Sequence, residues 1–312
     1  MAQAARRSII LGYIGIDIFC ICCAALLVVI IFLGLKLKQT KAKAEKEMAA
    51  EKMADEEFLQ AIEDGFKNEE FKMHLQFIVD NKTKQIVSAE ALSRWEKGNG
   101  EIVPPFEYIG VMEASGQIAK LDYYMFEKVC HKLSQWKGTE FEDLSMSCNF
   151  ARITISEKDF ATKIRQIAER YDFERNKLLL EITEDSIEKN MDIAMNNIIQ
   201  VKELGFRIAV DDLGSGYTSL MSLCEYPINV VKIDRALFLK TADETGRKLF
   251  KGLISLAHDL NLSVVCEGVE TEAQVSFVSE TNCEYIQGWY YSKPLSEFEA
   301  EAFAKDYMKK SQ

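Results

Sequence analysis

Eight polar residues stand where short apolar runs give way to loops: Glu90, Asn149, Glu181, the adjacent Asp211 and Asp212, Lys232, Glu267 and Gln287. One polar residue at such a place is the ordinary start of a loop. So many carboxylates and carboxamides at successive run ends are harder to dismiss, because converging carboxylates repel one another and raise each other's pKa unless cations offset them. Asp, Glu and Asn offer oxygen donors, and only three histidines occur, at 74, 131 and 258. The set therefore suits hard ions such as Mg²⁺ or Mn²⁺ rather than zinc. Adjacent Asp211 and Asp212 would let one carboxylate bridge two ions while its neighbour holds the second. Two ions about 3.5–4 Å apart can activate a water and stabilise the attacking and leaving oxygens of a phosphodiester. Lys232 would add a fixed positive charge there; its other reading is a salt bridge to Asp234 or Asp211. Gly214 and Gly216, directly after the aspartates, read as a tight loop that closes near the ions.

The elements that must position these residues are legible as alternation. Strand-like runs occur at 71–80, 85–95, 144–150, 177–184, 206–212, 228–234, 262–270 and 284–290, with helical patterns at 156–173, 186–205, 245–262 and 271–282. Eight strands with intervening helices over roughly 250 residues predict a TIM-like (β/α)8 barrel, whose strand ends converge on one face. A doubly wound open sheet is the alternative, but it would not gather all the strand ends.

The chain has 312 residues, 48% hydrophobic and 28% charged, which excludes a wholly disordered chain. Its formal net charge is −11, and Arg6, Arg7, Lys36, Lys38, Lys41, Lys43 and Lys46 make the first fifty residues net basic. So acidic a body is a poor binder of DNA or RNA polymers, and a phosphate-bearing substrate would need bound cations. Cys20, Cys22 and Cys23 lie in an apolar run, while Cys130, Cys148, Cys224, Cys266 and Cys283 are widely spaced. No Cys-x-x-Cys pair appears, so buried free thiols in a reducing compartment are expected.

After a short tail at 1–7, residues 8–35 carry Asp17 as their only charge, enough to cross a bilayer as one transmembrane helix in contact with membrane lipid. The lysines that follow place the carboxyl-terminal side in the cytoplasm. Residues 36–56 are rich in Ala, Lys, Glu and Met and read as a juxtamembrane helical linker, leaving 57–312 as the catalytic domain.

These residues resemble the EAL-domain family of cyclic di-GMP phosphodiesterases. Glu90-Ala91-Leu92 forms the signature triplet, followed by SCNF around Asn149, LLEITE at 179–184, VDDLGSGYTSL at 210–220, VKID at 231–234, CEGVET at 266–271 and IQGWYYSKPL at 286–295. The resemblance implies a dimeric EAL-fold barrel that hydrolyses cyclic di-GMP to linear pGpG with Mg²⁺ or Mn²⁺, calcium being inhibitory. It makes Glu90, Asn149, Glu181 and Asp211 ligands of one metal, with Asp211 bridging to a second that Asp212 shares, and Glu267 a further metal-site glutamate. Lys232 corresponds to the catalytic lysine and Gln287 to a residue near the attacking water. Gln76 and Arg94 resemble substrate contacts, Glu184 the glutamate that holds the DDLGSGY loop, and Glu270 a supporting residue behind the ligands. Phe77, Ala151, Leu213, Ser215 and Cys266 depart from the family's usual Pro, Ser, Phe, Thr and Ala, and no GGDEF-like motif occurs. A silent cyclic di-GMP receptor, or a membrane scaffold, is the competing reading; the receptor would be expected to lack a metal ligand, and none is missing.

Overall fold

The computed structural model describes residues 55–183, 191–213 and 226–310, together with Lys36. Two compact units divide the chain, Met1–Ile62 and Glu63–Gln312. Residues 55–67 are helical. The expected membrane span at 8–35 and all but the last residues of the 36–56 linker, apart from Lys36, lie outside the described residues. No helix among the described residues is long and apolar enough to cross a membrane.

Among the described residues of the second unit there are ten strands: β1 (Phe71–Asp80), β2 (Ile86–Glu96), β3 (Ile102–Val103), β4 (Ser145–Phe150), β5 (Leu178–Thr183), β6 (Arg207–Leu213), β7 (Val230–Ile233), β8 (Ser263–Cys266), β9 (Tyr285–Gln287) and β10 (Leu295–Ser296). Eight of them close into a ring, in the order β1-β2-β4-β5-β6-β7-β8-β9 and back to β1. Each of the eight runs read from the sequence becomes one ring strand. The two short strands β3 and β10 are additions that pair outside the ring with β2 and β1.

The ring is not wholly parallel, as a strict (β/α)8 barrel would be. β1 runs antiparallel to both its neighbours, β2 and β9, while the remaining neighbours are parallel. The reason is the connection after Asp80. A parallel crossover needs a dozen or more residues, and only Asn81 to Gln85 separate β1 from β2. The Asp80 carboxylate ties that turn by accepting from the backbone N–H groups of Lys82 and Thr83, and Lys84 sits at a φ of 58°. The chain must fold straight back as a hairpin.

Longer connections supply the outer helices. Pro104 and Pro105 start the helix Pro105–Ser115, and Gly116, at a φ of 76°, ends it. The helix Ile118–Trp136 follows at once and buries Leu121, Met125, Phe126, Val129 and Leu133 along one side, the stripe expected of a helix laid on a barrel. Thr271 and Gln274 close a reciprocal capping box at the start of Glu272–Ser279. Helices Phe160–Ala168 and Met191–Glu203 lie within two other patterned stretches, Glu244–Asp259 starts one residue ahead of a third, and Glu297–Lys310 completes the layer.

Two glycines set how closely the last strands approach. A Cβ on Gly288 would collide with the Val269 carbonyl oxygen, and one on Gly268, at a φ of 68°, would collide with the Arg235 stem. Backbone cannot yield as a flexible side chain can. Gly288→Ala is therefore expected to lower stability by about 2 kcal/mol or more, read as a fall in the urea midpoint; an unchanged midpoint would show that β9 has room there.

Candidate active site

At the ring's carboxylate-bearing mouth, the Lys232 ammonium is 1% exposed and stands among four carboxylates. It lies 2.6 Å from Glu267, 2.9 Å from Glu181, 3.0 Å from Glu90 and 3.3 Å from Asp211. Thus the alternative pairing with Asp211 occurs as part of a larger cluster. Asp234 instead accepts from the Ala236 N–H and caps the next helix. Glu90 also accepts from the Asn149 amide at 2.8 Å and from the Gln287 amide at 2.7 Å. Those donations use both amide nitrogens and leave their carbonyl oxygens for another partner. The Gln287 Oε1 is buried with no hydrogen-bond partner among the described residues.

Strand register explains the convergence. Gln76 faces Glu90 across the β1–β2 hairpin, and Asn149 is level with Glu181 in the parallel pair β4–β5. Glu90 and Gln76 are mid-strand rather than at strand ends, because β2 continues past the mouth to pair with β3. Asp211 and Asp212 pose a sharper problem, since successive strand residues face opposite sides. Between Val210 and Leu213 the β6–β7 ladder slips, and Asp212 adopts a φ of 59°. Such an irregularity re-aims neighbouring side chains, and Asp tolerates this left-handed backbone better than most residues. Both carboxylates consequently reach the site. Oxygens of Glu90, Glu181 and Asp211 lie within 4.8 Å of one another, as do those of Asp211, Asp212 and Glu267. Asp211 belongs to both trios.

The electrostatics follow from too little positive charge in a buried space. Burial pushes Glu181 well above the ordinary carboxylate range, Glu90 adds to the shift, and Lys232 only partly opposes it. Burial, Asp211 and Glu90 together outweigh Lys232 at Glu267, whose pKa rises to about 8. Asp211 is raised as well, by burial and then by Glu90 against Lys232. Burial and the adjacent Asp211 lift Asp212 to about 6. Glu90 alone is lowered: burial pushes it up, but the Lys232 ammonium and the Gln287 and Asn149 amides outweigh that. Lys232 is held well above the usual lysine range, burial being overcome by the four carboxylates.

A cavity of about 480 Å³ opens over this cluster, with Gln76, Glu90, Asp211, Glu267 and Gln287 in its wall. Glu270 is at its rim, paired with Arg235 at 2.8 Å. Arg94 lies elsewhere, in an adjoining cavity of about 250 Å³ that also contains Asn149. Leu92 lines both spaces. Glu184 and the loop with Gly214 and Gly216 fall outside the described residues.

Sequence reasoning missed three participants. Arg235 and Trp289 line the cavity over the cluster, Trp289 being 58% exposed with the Lys293 ammonium 4.9 Å from its ring centre. Their signal was position, directly after VKID and QG. The third, Asp122, accepts from Thr154 Oγ1 at 2.5 Å and the Ala151 N–H at 2.9 Å, so it fixes the chain just beyond Asn149. A carboxylate on the apolar side of the Ile118–Trp136 helix was the clue.

A family model described as the EAL domain matches residues 59–294. The chain belongs to the EAL-domain family. Cyclic di-GMP phosphodiesterase NbdA of Pseudomonas aeruginosa is 30% identical over 254 residues, which cover 81% of this chain and 32% of that protein. Cyclic di-GMP phosphodiesterase PdeR of Escherichia coli is 28% identical over 229 residues, covering 73% of this chain and 34% of its own length. The solved structure of the PaMucR phosphodiesterase in complex with c-di-GMP has a TM-score of 0.74 at 26% identity, over 78% of this chain and 99% of that one. This chain thus spans about a third of the length of these curated EAL relatives.

Burial lifts the Asp122 carboxyl from an ordinary 3.8 to about 7. A carboxyl whose folded pKa is raised favours folding while both states are protonated, and that contribution is lost as pH rises from about 4 to about 7. The loss amounts to roughly 4 kcal/mol. Asp122→Asn is expected to flatten this slope, so urea midpoints of the variant and the wild type should diverge between pH 4 and pH 7. Parallel curves would show that Asp122 ionises normally.

Proposed function

We propose that the chain is a metal-dependent phosphodiesterase that hydrolyses cyclic di-GMP to linear pGpG. The observation that carries this reading is the pair of carboxylate trios sharing Asp211 around a buried lysine, the arrangement expected of a two-cation phosphodiester site. Its relatives' names and the complexed solved structure support the same substrate class.

The donor set fits hard divalent cations: every oxygen is from a carboxylate or amide, and the carboxylates outnumber the one ammonium among them. Glu90, Asn149, Glu181 and Asp211 would hold one ion, and Asp211, Asp212 and Glu267 a second. Bound there, Mg²⁺ or Mn²⁺ would supply electrophilic stabilisation and lower the pKa of water. Lys232 keeps positive charge at the centre, where charge on the reacting phosphate grows. Gln287, with its free buried acceptor, orients the attacking water. Water's oxygen forms the new P–O bond, the P–O3′ bond breaks, and the departing 3′ oxygen takes a proton. Arg94 grips a phosphate from the adjoining cavity, and Gln76 lines the catalytic one. Two neighbouring cavities suit a ligand wider than a mononucleotide.

Purified full chain should release pGpG only with Mg²⁺ or Mn²⁺, and calcium should inhibit because it tolerates irregular coordination. Glu90→Gln or Asp211→Asn is expected to cut turnover by about 10²–10³-fold or more with the circular dichroism unchanged. Full activity in excess chelator would overturn the mechanism. A folded, cyclic di-GMP-binding chain without turnover would favour the silent receptor.

Ground-state and transition-state contacts separate in kinetics. Arg94→Ala should raise KM about tenfold with little loss of kcat, since a charge-assisted phosphate contact is worth about 1.5–3 kcal/mol. Lys232→Ala should chiefly lower kcat. The reverse pattern would exchange the two roles.

We also propose that residues 8–35 anchor the chain as a single span with the barrel on the cytoplasmic side, and that the barrels act as homodimers. The 28-residue run with one charge supports the anchor. Replacing residues 1–56 with a soluble tag should move the protein out of the membrane fraction while leaving hydrolysis intact; an unchanged distribution would sink the anchor.

A further inference from the structure

The inward-facing rows of the ring do not end at the catalytic layer. Two positions toward the amino end of each strand lie Leu179 below Glu181, Val230 below Lys232, Val265 below Glu267 and Tyr285 below Gln287. On reversed β1 the matching residue is Ile78, two beyond Gln76. These side chains line a separate cavity of about 240 Å³ at the ring's opposite mouth. A strand advances about 3.3 Å per residue, so this floor is roughly 7 Å beneath the carboxylates.

The row on β6 ends in a different chemistry. Residues two apart on a strand share a face, so Arg207, Ala209 and Asp211 lie on one row of β6, with Asp211 in the carboxylate cluster, Ala209 in the apolar floor and Arg207 at the opposite mouth. Arg207 has no hydrogen-bonding or ion-pair partner for its guanidinium among the described residues. Asp143 also lines the mouth, but its side chain is fully exposed and its recorded ion pair is with Lys177, at 3.9 Å. A barrel's interior is ordinarily closed by packed branched side chains. Here the apolar floor of Ile78, Leu179, Val230 and Val265 is left beneath an open space, with an unneutralised guanidinium at its edge.

We propose that this mouth is a binding site for a small amphipathic anion, with a flat apolar body seated on Leu179, Val230, Val265 and Tyr285 and a carboxylate, sulfonate or phosphate head held by Arg207. An apolar cavity of about 150 Å³ holds benzene, so 240 Å³ suits a compact bicyclic body and is too short for a lipid acyl chain. A planar guanidinium offers two parallel N–H donors to such a head, and a low-dielectric floor strengthens the contact.

The test is a ¹⁹F NMR titration of the full chain in nanodiscs with 6-fluoro-2-naphthoate, using protein-free nanodiscs as the blank. Saturable binding to one site per chain is expected, weakened at least tenfold by Arg207→Gln. Arg207→Lys should weaken it less, because charge survives while the fork is lost. Ser88→Trp, from a partly exposed position lining the same mouth, should block it. The neutral 6-fluoro-2-naphthalenemethanol should bind at least tenfold more weakly and ignore Arg207→Gln. Saturating cyclic di-GMP should leave the naphthoate bound, so this outcome is independent of the catalytic reading. Absence of saturable binding, indifference to both Arg207→Gln and Ser88→Trp in folded protein, or displacement by cyclic di-GMP would each overturn the proposal.

Discussion

A single ammonium among four carboxylates is the constraint on which the rest of this structure depends. At an effective dielectric near 20, two unit charges 4 Å apart interact by about 4 kcal/mol, and Lys232 makes four closer contacts. Those attractions are set against the repulsion of the acids for one another and the cost of removing five charged groups from water. The balance is incomplete: Glu181, Asp211 and Glu267 are all raised, whereas Glu90, which alone has two amide donors besides the lysine, is lowered. The protein has assembled more negative charge than it neutralises. Divalent cations are the partners that would complete the balance, and the same deficit would give them their affinity.

Holding such a cluster requires a scaffold that cannot relax. Lys232, Glu90, Glu181 and Asp211 stand on four different strands of a closed ring and Glu267 directly follows a fifth, and closure fixes the separations that repulsion would enlarge. The hairpin that reverses β1 contributes in the same way: it seals the ring with Gln76 opposite Glu90, so that a neutral amide rather than another acid stands beside the most heavily bonded carboxylate. Gly288 lets the strand bearing Gln287 approach Val269 closely enough for its amide to reach Glu90.

Much of this was legible because barrel strands are short, apolar and evenly interrupted. All eight ring strands appear in the sequence as such runs, and strand-end polar residues mark the site. What escaped depends on geometry that residue identity does not encode. Five residues between β1 and β2 are too few for a crossover, yet the run after Asp80 carries no Gly or Pro to announce a hairpin. Adjacent aspartates on a regular strand would face apart; only the slipped ladder and the left-handed Asp212 bring both inward. Arg94 reads as a neighbour of Glu90 four positions along β2, but the strand climbs past the mouth and puts it in a second cavity. The Ile118–Trp136 helix stood out less than its packing warrants, because Asp122 and Lys132 interrupt its apolar stripe.

The charge distribution also decides how an acidic protein can hold an anionic ligand. With a net charge of −11, long-range attraction cannot gather phosphates to this surface. Recognition must come from a few positive groups at short range, where local geometry outweighs the overall field. Lys232 is buried within the cluster, Arg235 is engaged at the rim by Glu270, and Arg94 faces the adjoining cavity. Two of these cations are therefore committed to carboxylates of the protein itself. Under the proposed mechanism, further positive charge in the carboxylate trios would offset their repulsion of the anion's phosphates, and cation binding would then favour substrate binding as well as bond cleavage. On that reading one set of acids would repel phosphate without metal and receive it with metal bound.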